Sequence, residues 1–544
     1  FKNHLSAQGI WKNSPRSSKH TFRQRTQILI IMLDFIIVLC YFALILIVAL
    51  SGSKNKTIDA DAYFLSSRNL RWPSIAISTI ATNVQGYQFL GMMGSAYLYG
   101  LAQANLEINA IQGLLIAAFV FIPMFLKHRI TTVTEFITMH LGKRAGLFYS
   151  VANLSLFSTI TLGAALFWGA YAADQVFGEQ LAMLHEDRMM RIALLIVILG
   201  VFSAIYTYLG GLNAVVKTDI IQFIILLFGG LFVLIVSVRA LGGWEELYVQ
   251  TSHRMHLHLP ADHPTLPWTH LFGLFFLNIN YWCANQTIIQ RSLAAKNLKE
   301  AQKGLLVGGV LKYLMALIIV VPGIALYGIL GEGLSDPDMS FPYLVNRYVP
   351  IGLRGIILCG LFASLMSTVD STFHSIATLW SVDIYSNYIN KNPSDYQKIR
   401  AGRQAIIFSL ISSLTMGMIL LYLKFENPST AFTHTLNNLR YYINCGITVM
   451  ICAAALLLVP NKQKVLLAFL ITLPLNFLLQ YLLPDMNYFV RAFWVIFISL
   501  CVATEGKISN FSSYKVLFQS SSNPLSRLGW TLLGSLILIH ILFH

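Results

Sequence analysis

Five ionisable residues stand inside otherwise apolar stretches: Glu107, Asp219, Lys312, Asp370 and Arg440. A charge placed in hydrocarbon is costly, so such residues face a protein interior or a watery path and mark the route of an ion or solute. Asp34 is a sixth, with no evident partner, and is as readily structural as functional.

Three segments surround these charges with neutral polar groups. In "ATNVQGYQFLGMMG" (81–94) an apolar run is broken by amides, a tyrosine and a glycine. A helix unwound near Gly86 would free backbone carbonyls, for example those of Ala81 and Val84, to hold a cation, as in the discontinuous helices of secondary transporters. "NINYWCANQTIIQR" (278–291) repeats the theme with Asn278, Asn280, Tyr281, Trp282, Asn285 and Gln286. In "CGLFASLMSTVDSTFHS" (359–375), Ser364, Ser367, Thr368 and Ser371 recur at i, i+3, i+4 and i+7, one face of one helix. Hydroxyl and carbonyl oxygens suit a hard cation such as Na⁺. Small residues also serve helix packing, but packing does not call for the carboxylate of Asp370 nearby.

The elements that carry these groups must cross a membrane. The chain has 544 residues, 56% hydrophobic and only 11% charged, against about 25% charged in soluble proteins. Apolar runs of about 20 residues, each able to span a hydrocarbon core, recur throughout. They predict an all-α polytopic membrane protein of about fourteen helices. A basic, disordered arm (1–26) precedes a leading helix (27–50). Two groups of five helices (72–239 and 268–459) and three trailing helices (463–544) follow. The two broken segments fall at corresponding positions of the two groups, the sequence pointer to an inverted-repeat transporter.

The +15 charge does not point to nucleic acid. Lys and Arg concentrate in alternate loops, among them Arg68, Arg71, Lys127, Arg129, Arg291, Lys296 and Lys299. By the positive-inside rule those loops are cytoplasmic, which places both termini outside. The six cysteines lie in apolar segments and offer no loop disulfide. His256 and His258 read as a solvated loop, too sparse for a metal site. No phosphate-binding loop, nucleophile elbow or zinc spacing suggests an enzyme.

"YTYLGGLNAVVKTDIIQF" (206–223) resembles the signature of the sodium:solute symporter family, and "NQTIIQRSLAAKNLKEAQKG" (285–304) is similar to its sodium–glucose and sodium–galactose branch. The likeness is specific from about residue 60 to 385 and loose from 430 on. It implies the LeuT-like fold of two inverted five-helix repeats, and Na⁺-driven uptake of a neutral hydroxylated solute, a galactose- or glucose-like monosaccharide, across the cell membrane. It also implies the site residues: Asn83, Gln88, Glu107, Asn278, Tyr281, Lys312 and Asn437 for the sugar, with Tyr281 as an inner gate. One Na⁺ would sit on Ala81, Val84, Ser364, Ser367 and Thr368, and a second cation on Asp219, Asp370 and Ser371. Lys312 and Glu107 would relieve each other's burial.

The chain departs from that pattern at Leu106, Ala110, Asn437 and Arg440. These changes leave inositol, a sugar acid or an amino acid open as the solute. A transporter-like sensor and a polytopic enzyme are the readings from other classes.

Overall fold

The computed structural model describes residues 16–51, 59–86, 88–350, 352–426, 432–507 and 524–544. Among them the structure is helical, with only two isolated bridges, Leu70 with Ala295 and Leu259 with Pro267. Among the described residues, ten helical stretches are long and apolar enough to cross a membrane. Several exceed one crossing: Arg188–Leu241 (α4) has 54 residues, or about 80 Å at 1.5 Å per residue, against a core of about 30 Å. It is interrupted at Gly211, whose φ is +62°. A Cβ there would lie 2.8 Å from the Tyr63 carbonyl oxygen, so the turn needs glycine for its backbone and for space. The outer surface is apolar, with Ile198, Ile205, Ile224 and Phe228 exposed, as lipid requires.

The leading helix α1 runs Arg16–Ser51, so residues 16–26, expected to be a disordered arm, continue the helix; 1–15 lie outside the described residues. Asp34 on α1 is structural. Its Oδ1 accepts the Gly352 and Gly355 N–H groups at 3.0 and 2.7 Å, capping a later helix with a negative charge at its positive end.

Both predicted breaks are present. Helix α2 (Trp72–Asn83) stops where Val84 turns extended, with φ −75° and ψ 103°. The chain resumes through a wide turn, Gln88–Met92, into α3 (Met93–Tyr99). Likewise α5 (His270–Ile279) widens over Asn280–Ala284. The chain then breaks at Asn285 (φ −73°, ψ 114°) and restarts as α6 (Gln286–Leu293), capped by the Asn285 side chain. Helix α7 (Leu298–Leu330) packs on the first broken helix, and Gly323 makes the approach possible: a Cβ there would sit 2.3 Å from the Met93 carbonyl oxygen. Gly323→Ala is therefore expected to cost about 1–3 kcal/mol of stability, read as earlier thermal unfolding in detergent.

The segments just before α2 and just after α6 are tied together. Leu70 and the 294–296 segment exchange backbone hydrogen bonds of 3.0 and 2.9 Å. Arg68 donates to the carbonyls of Arg129, Ile130 and Leu293 at 3.0–3.4 Å.

Candidate functional site

Where α2 and α5 break, backbone and side-chain polar groups turn inward around a cavity of about 150 Å³. At its wall Glu107 accepts from the Lys312 ammonium and, at 2.6 Å, from the Gln88 amide. Lys312 also donates to Asn83 Oδ1 at 2.7 Å, and the Asn83 amide donates to the Tyr281 hydroxyl at 3.2 Å. Gln88 Oε1 takes the Gln85 N–H at 2.6 Å, a bond that the break leaves free to form. Five of the seven predicted solute contacts thus form one network drawn from α2 and the wide turn after it, the 100–127 stretch, the widened end of α5, and α7. Asn278 and Asn437 also line the cavity. Asn278 donates to the Asn109 carbonyl at 2.9 Å, which fixes α5 against the 100–127 stretch. The Lys312–Glu107 pair is almost wholly buried, and its remaining bonds go to Asn83 and Gln88 on the cavity wall.

The wall also holds residues that the sequence pattern does not mark. Gln85 lies in the same broken motif and Asn444 one turn beyond Arg440, where Asn280 donates to the Asn444 carbonyl at 2.8 Å. The Lys312 ammonium stands 5.7 Å from the Trp282 ring centre.

The predicted cation residues divide into three places. Thr368, on α8 (Leu353–Thr378), donates to the carbonyls of Thr82 and Ser364 at 3.0 and 3.2 Å. Ser364 Oγ is buried with no hydrogen-bond partner. Ala81 and Val84 flank Thr82 at the C-terminal end of α2, and of these three it is the Thr82 carbonyl that meets the Thr368 hydroxyl. Ser367 instead donates to Asp219 at 2.5 Å.

The expected second set is not brought together as one cluster. Arg291, read from sequence as a loop residue, is fully buried on α6 and ion-paired with Asp219 at 3.3 Å. Its guanidinium also donates to Ser78 at 2.9 Å and to Ser371 and the Thr287 carbonyl. It therefore stands between Asp219 and Ser371. Asp370 turns away, accepting from the Tyr206 hydroxyl. Successive residues on a helix point about 100° apart, which is why Asp370 and Ser371 address different neighbours. His258 likewise meets His540, at 3.1 Å, rather than open solvent.

Residues 63–434 match the sequence profile of the sodium:solute symporter family. The sodium/glucose cotransporter of Vibrio parahaemolyticus is 31% identical over 421 residues, 71% of this chain and 75% of that protein. A sodium/myo-inositol cotransporter 2 of Mus musculus is 31% identical over 415 residues, 70% of this chain but 60% of that protein. Among solved structures, the substrate-bound outward-open state of a Na⁺-coupled sialic acid symporter superposes with a TM-score of 0.73 at 20% identity. It covers 88% of this chain and 99% of that one. The fold is the LeuT-like fold of membrane transporters.

Proposed function

The chain belongs to the sodium:solute symporter family, and we propose that it couples Na⁺ entry to uptake of a sugar-sized, polyhydroxylated solute by alternating access. The observation that carries this reading is the network of Asn83, Gln88, Glu107, Tyr281 and Lys312 at a helix break inside an apolar bundle. Amides, a carboxylate and an ammonium offer donors and acceptors on all sides, which suits a ring of hydroxyls better than an apolar or strongly charged solute. Tyr281 closes the lower side of the ring as a gate, with Asn278 and Asn437 on the walls. The relatives named for glucose and myo-inositol carry solutes of this kind.

Na⁺ binds first, on Ala81, Val84, Ser364, Ser367 and Thr368, and holds α2 against α8 in the outward-facing arrangement. The sugar then settles, and the two five-helix repeats (72–239 and 268–459) rock to expose the site to the cytoplasm. The basic end tied by Arg68 is the cytoplasmic one, and both chain ends face outside. A second cation on Asp219, Asp370 and Ser371 requires Arg291 to withdraw first. One charge crossing 100 mV gains about 2.3 kcal/mol and a tenfold Na⁺ gradient about 1.4, so one ion supports roughly 500-fold accumulation of a neutral solute.

The test is uptake of labelled galactose and glucose into proteoliposomes, with and without an inward Na⁺ gradient, for the wild type and Gln88→Ala. Sodium-driven uptake that drops at least about tenfold in the variant, the worth of one buried hydrogen bond to a charged partner, supports the reading. Uptake indifferent to Na⁺ contradicts it.

A further inference from the structure

The cavity carries a charge that the sugar reading leaves unused. Of its lining residues, Glu107, Lys312 and Arg440 are charged. Glu107 and Lys312 neutralise each other in a buried ion pair. Arg440 has no ion-pair partner among the described residues, and its Nε is buried without a hydrogen-bond partner. The cavity is therefore net positive by one charge, and that charge belongs to a guanidinium with donors to spare.

Its position is built rather than incidental. On α9 (Phe432–Leu456), Asn437, Arg440, Tyr441 and Asn444 occupy one helical face and all line the cavity. That face is pinned across the site by the bond from Asn280 to the Asn444 carbonyl. Tyr281 and Arg440 both line the cavity, and the Tyr281 hydroxyl accepts from Asn83, so the guanidinium and the Asn83–Lys312–Glu107 network border the same space. An arginine inside a membrane protein without an acidic neighbour is expensive unless something else supplies the anion. A guanidinium fork matches a carboxylate with two parallel hydrogen bonds.

We propose that Arg440 selects a monoanionic polyol, a sugar acid of the hexuronate type, whose carboxylate pairs with the guanidinium while its hydroxyls meet Asn83, Gln88, Glu107 and Lys312. The inference rests on the sugar reading of the same cavity and narrows its substrate class from neutral to acidic. A phosphate ester dianion exceeds the single free positive charge. A zwitterionic amino acid would need a free carboxylate for its ammonium, and Glu107 is already engaged by Lys312.

The experiment compares D-galacturonate and D-glucuronate with D-galactose and D-glucose in Na⁺-loaded gradients, in wild type, Arg440→Gln and Arg440→Lys. The uronate is expected to be taken up at lower concentration than the hexose, and to carry one positive charge fewer per molecule inward. Arg440→Gln should reduce the uronate-to-hexose affinity ratio on the order of 30-fold or more. Arg440→Lys, which keeps the charge and loses the fork, should fall between. The wild-type preference decides the matter even if a variant does not fold. Na⁺-driven hexose uptake with no uronate preference, or variants that leave the ratio unchanged, overturns the acid assignment and leaves the sugar symporter standing. No Na⁺-driven uptake of either solute overturns both.

Discussion

Lys312→Met is expected to abolish measurable solute uptake and to destabilise the protein by about 3–5 kcal/mol. The Lys312 and Glu107 side chains are about 1% and 3% exposed, so removing the ammonium strands a carboxylate in a medium that cannot solvate it. Lys312 also anchors Asn83 at 2.7 Å, and Asn83 holds the Tyr281 hydroxyl; one substitution therefore loosens the floor of the cavity as well as its charge balance. Glu107→Gln strands the ammonium in turn. The pair Lys312→Met with Glu107→Gln removes both charges and should recover most of the stability, because two apolar or neutral groups need no counter-ion. Uptake should stay lost in the double variant, since the ammonium and the carboxylate that address hydroxyls are gone and Asn83 loses its anchor. Unfolding in detergent micelles and uptake in proteoliposomes, measured on all three, separate the two roles. Single variants as stable as the wild type would mean that the pair is not buried in the working protein.

The second large effect concerns Asp219 and Arg291, both fully buried. Arg291→Ala removes the guanidinium and its bonds to Ser78, Ser371 and Asp219, and leaves Asp219 only the hydroxyls of Ser78 and Ser367 in a cluster that also holds Ser371 and Thr82. What remains is a carboxylate amid hydroxyls, a set of hard oxygen ligands. The variant should be several kcal/mol less stable without Na⁺ and should regain stability steeply as Na⁺ is added, by mass action on a cation that binds only the folded state. Asp219→Asn leaves the guanidinium instead, and added Na⁺ should not rescue it. Thermal unfolding across a Na⁺ titration, at constant ionic strength with choline, reads the difference. Equal Na⁺ responses in the two variants would show that Arg291 does not stand where a cation can replace it.

The fold was legible because lipid imposes a simple rule: backbone groups must be satisfied within the segment, so apolar runs become helices. The breaks were legible for the complementary reason, since several amides clustered in such a run, beside a glycine in the first motif, suit a place where the helix opens better than a helix–helix contact, which one amide would serve. Glu107 and Lys312 stood out as charges deep in apolar sequence. Arg291 did not, because it closes an apolar segment just before a basic loop, and its partner Asp219 lies 72 residues away. Asp34 was ambiguous because its partners are backbone N–H groups of residues 352 and 355, which no side-chain pattern announces. The 16–26 stretch read as disordered from its polarity, yet Lys, Arg and Gln are good helix formers, and the leading helix extends through it. The direction of Asp370 depends on which helix packs on which face, and that is decided by tertiary structure alone.

The central claim is that ion and solute move together through one set of helices, and coupling is reciprocal. The most direct measurement is entry of radioactive Na⁺ into proteoliposomes, with and without saturating galactose or galacturonate, in the wild type and Thr368→Val. Thr368 joins α8 to the broken α2 through the Thr82 carbonyl and is isosteric with valine apart from its hydroxyl. Solute should accelerate Na⁺ entry, Na⁺ should accelerate solute entry, and both stimulations should collapse in the variant. Solute that enters down its own gradient with no effect on Na⁺, in a protein that Thr368→Val leaves unchanged, would contradict it.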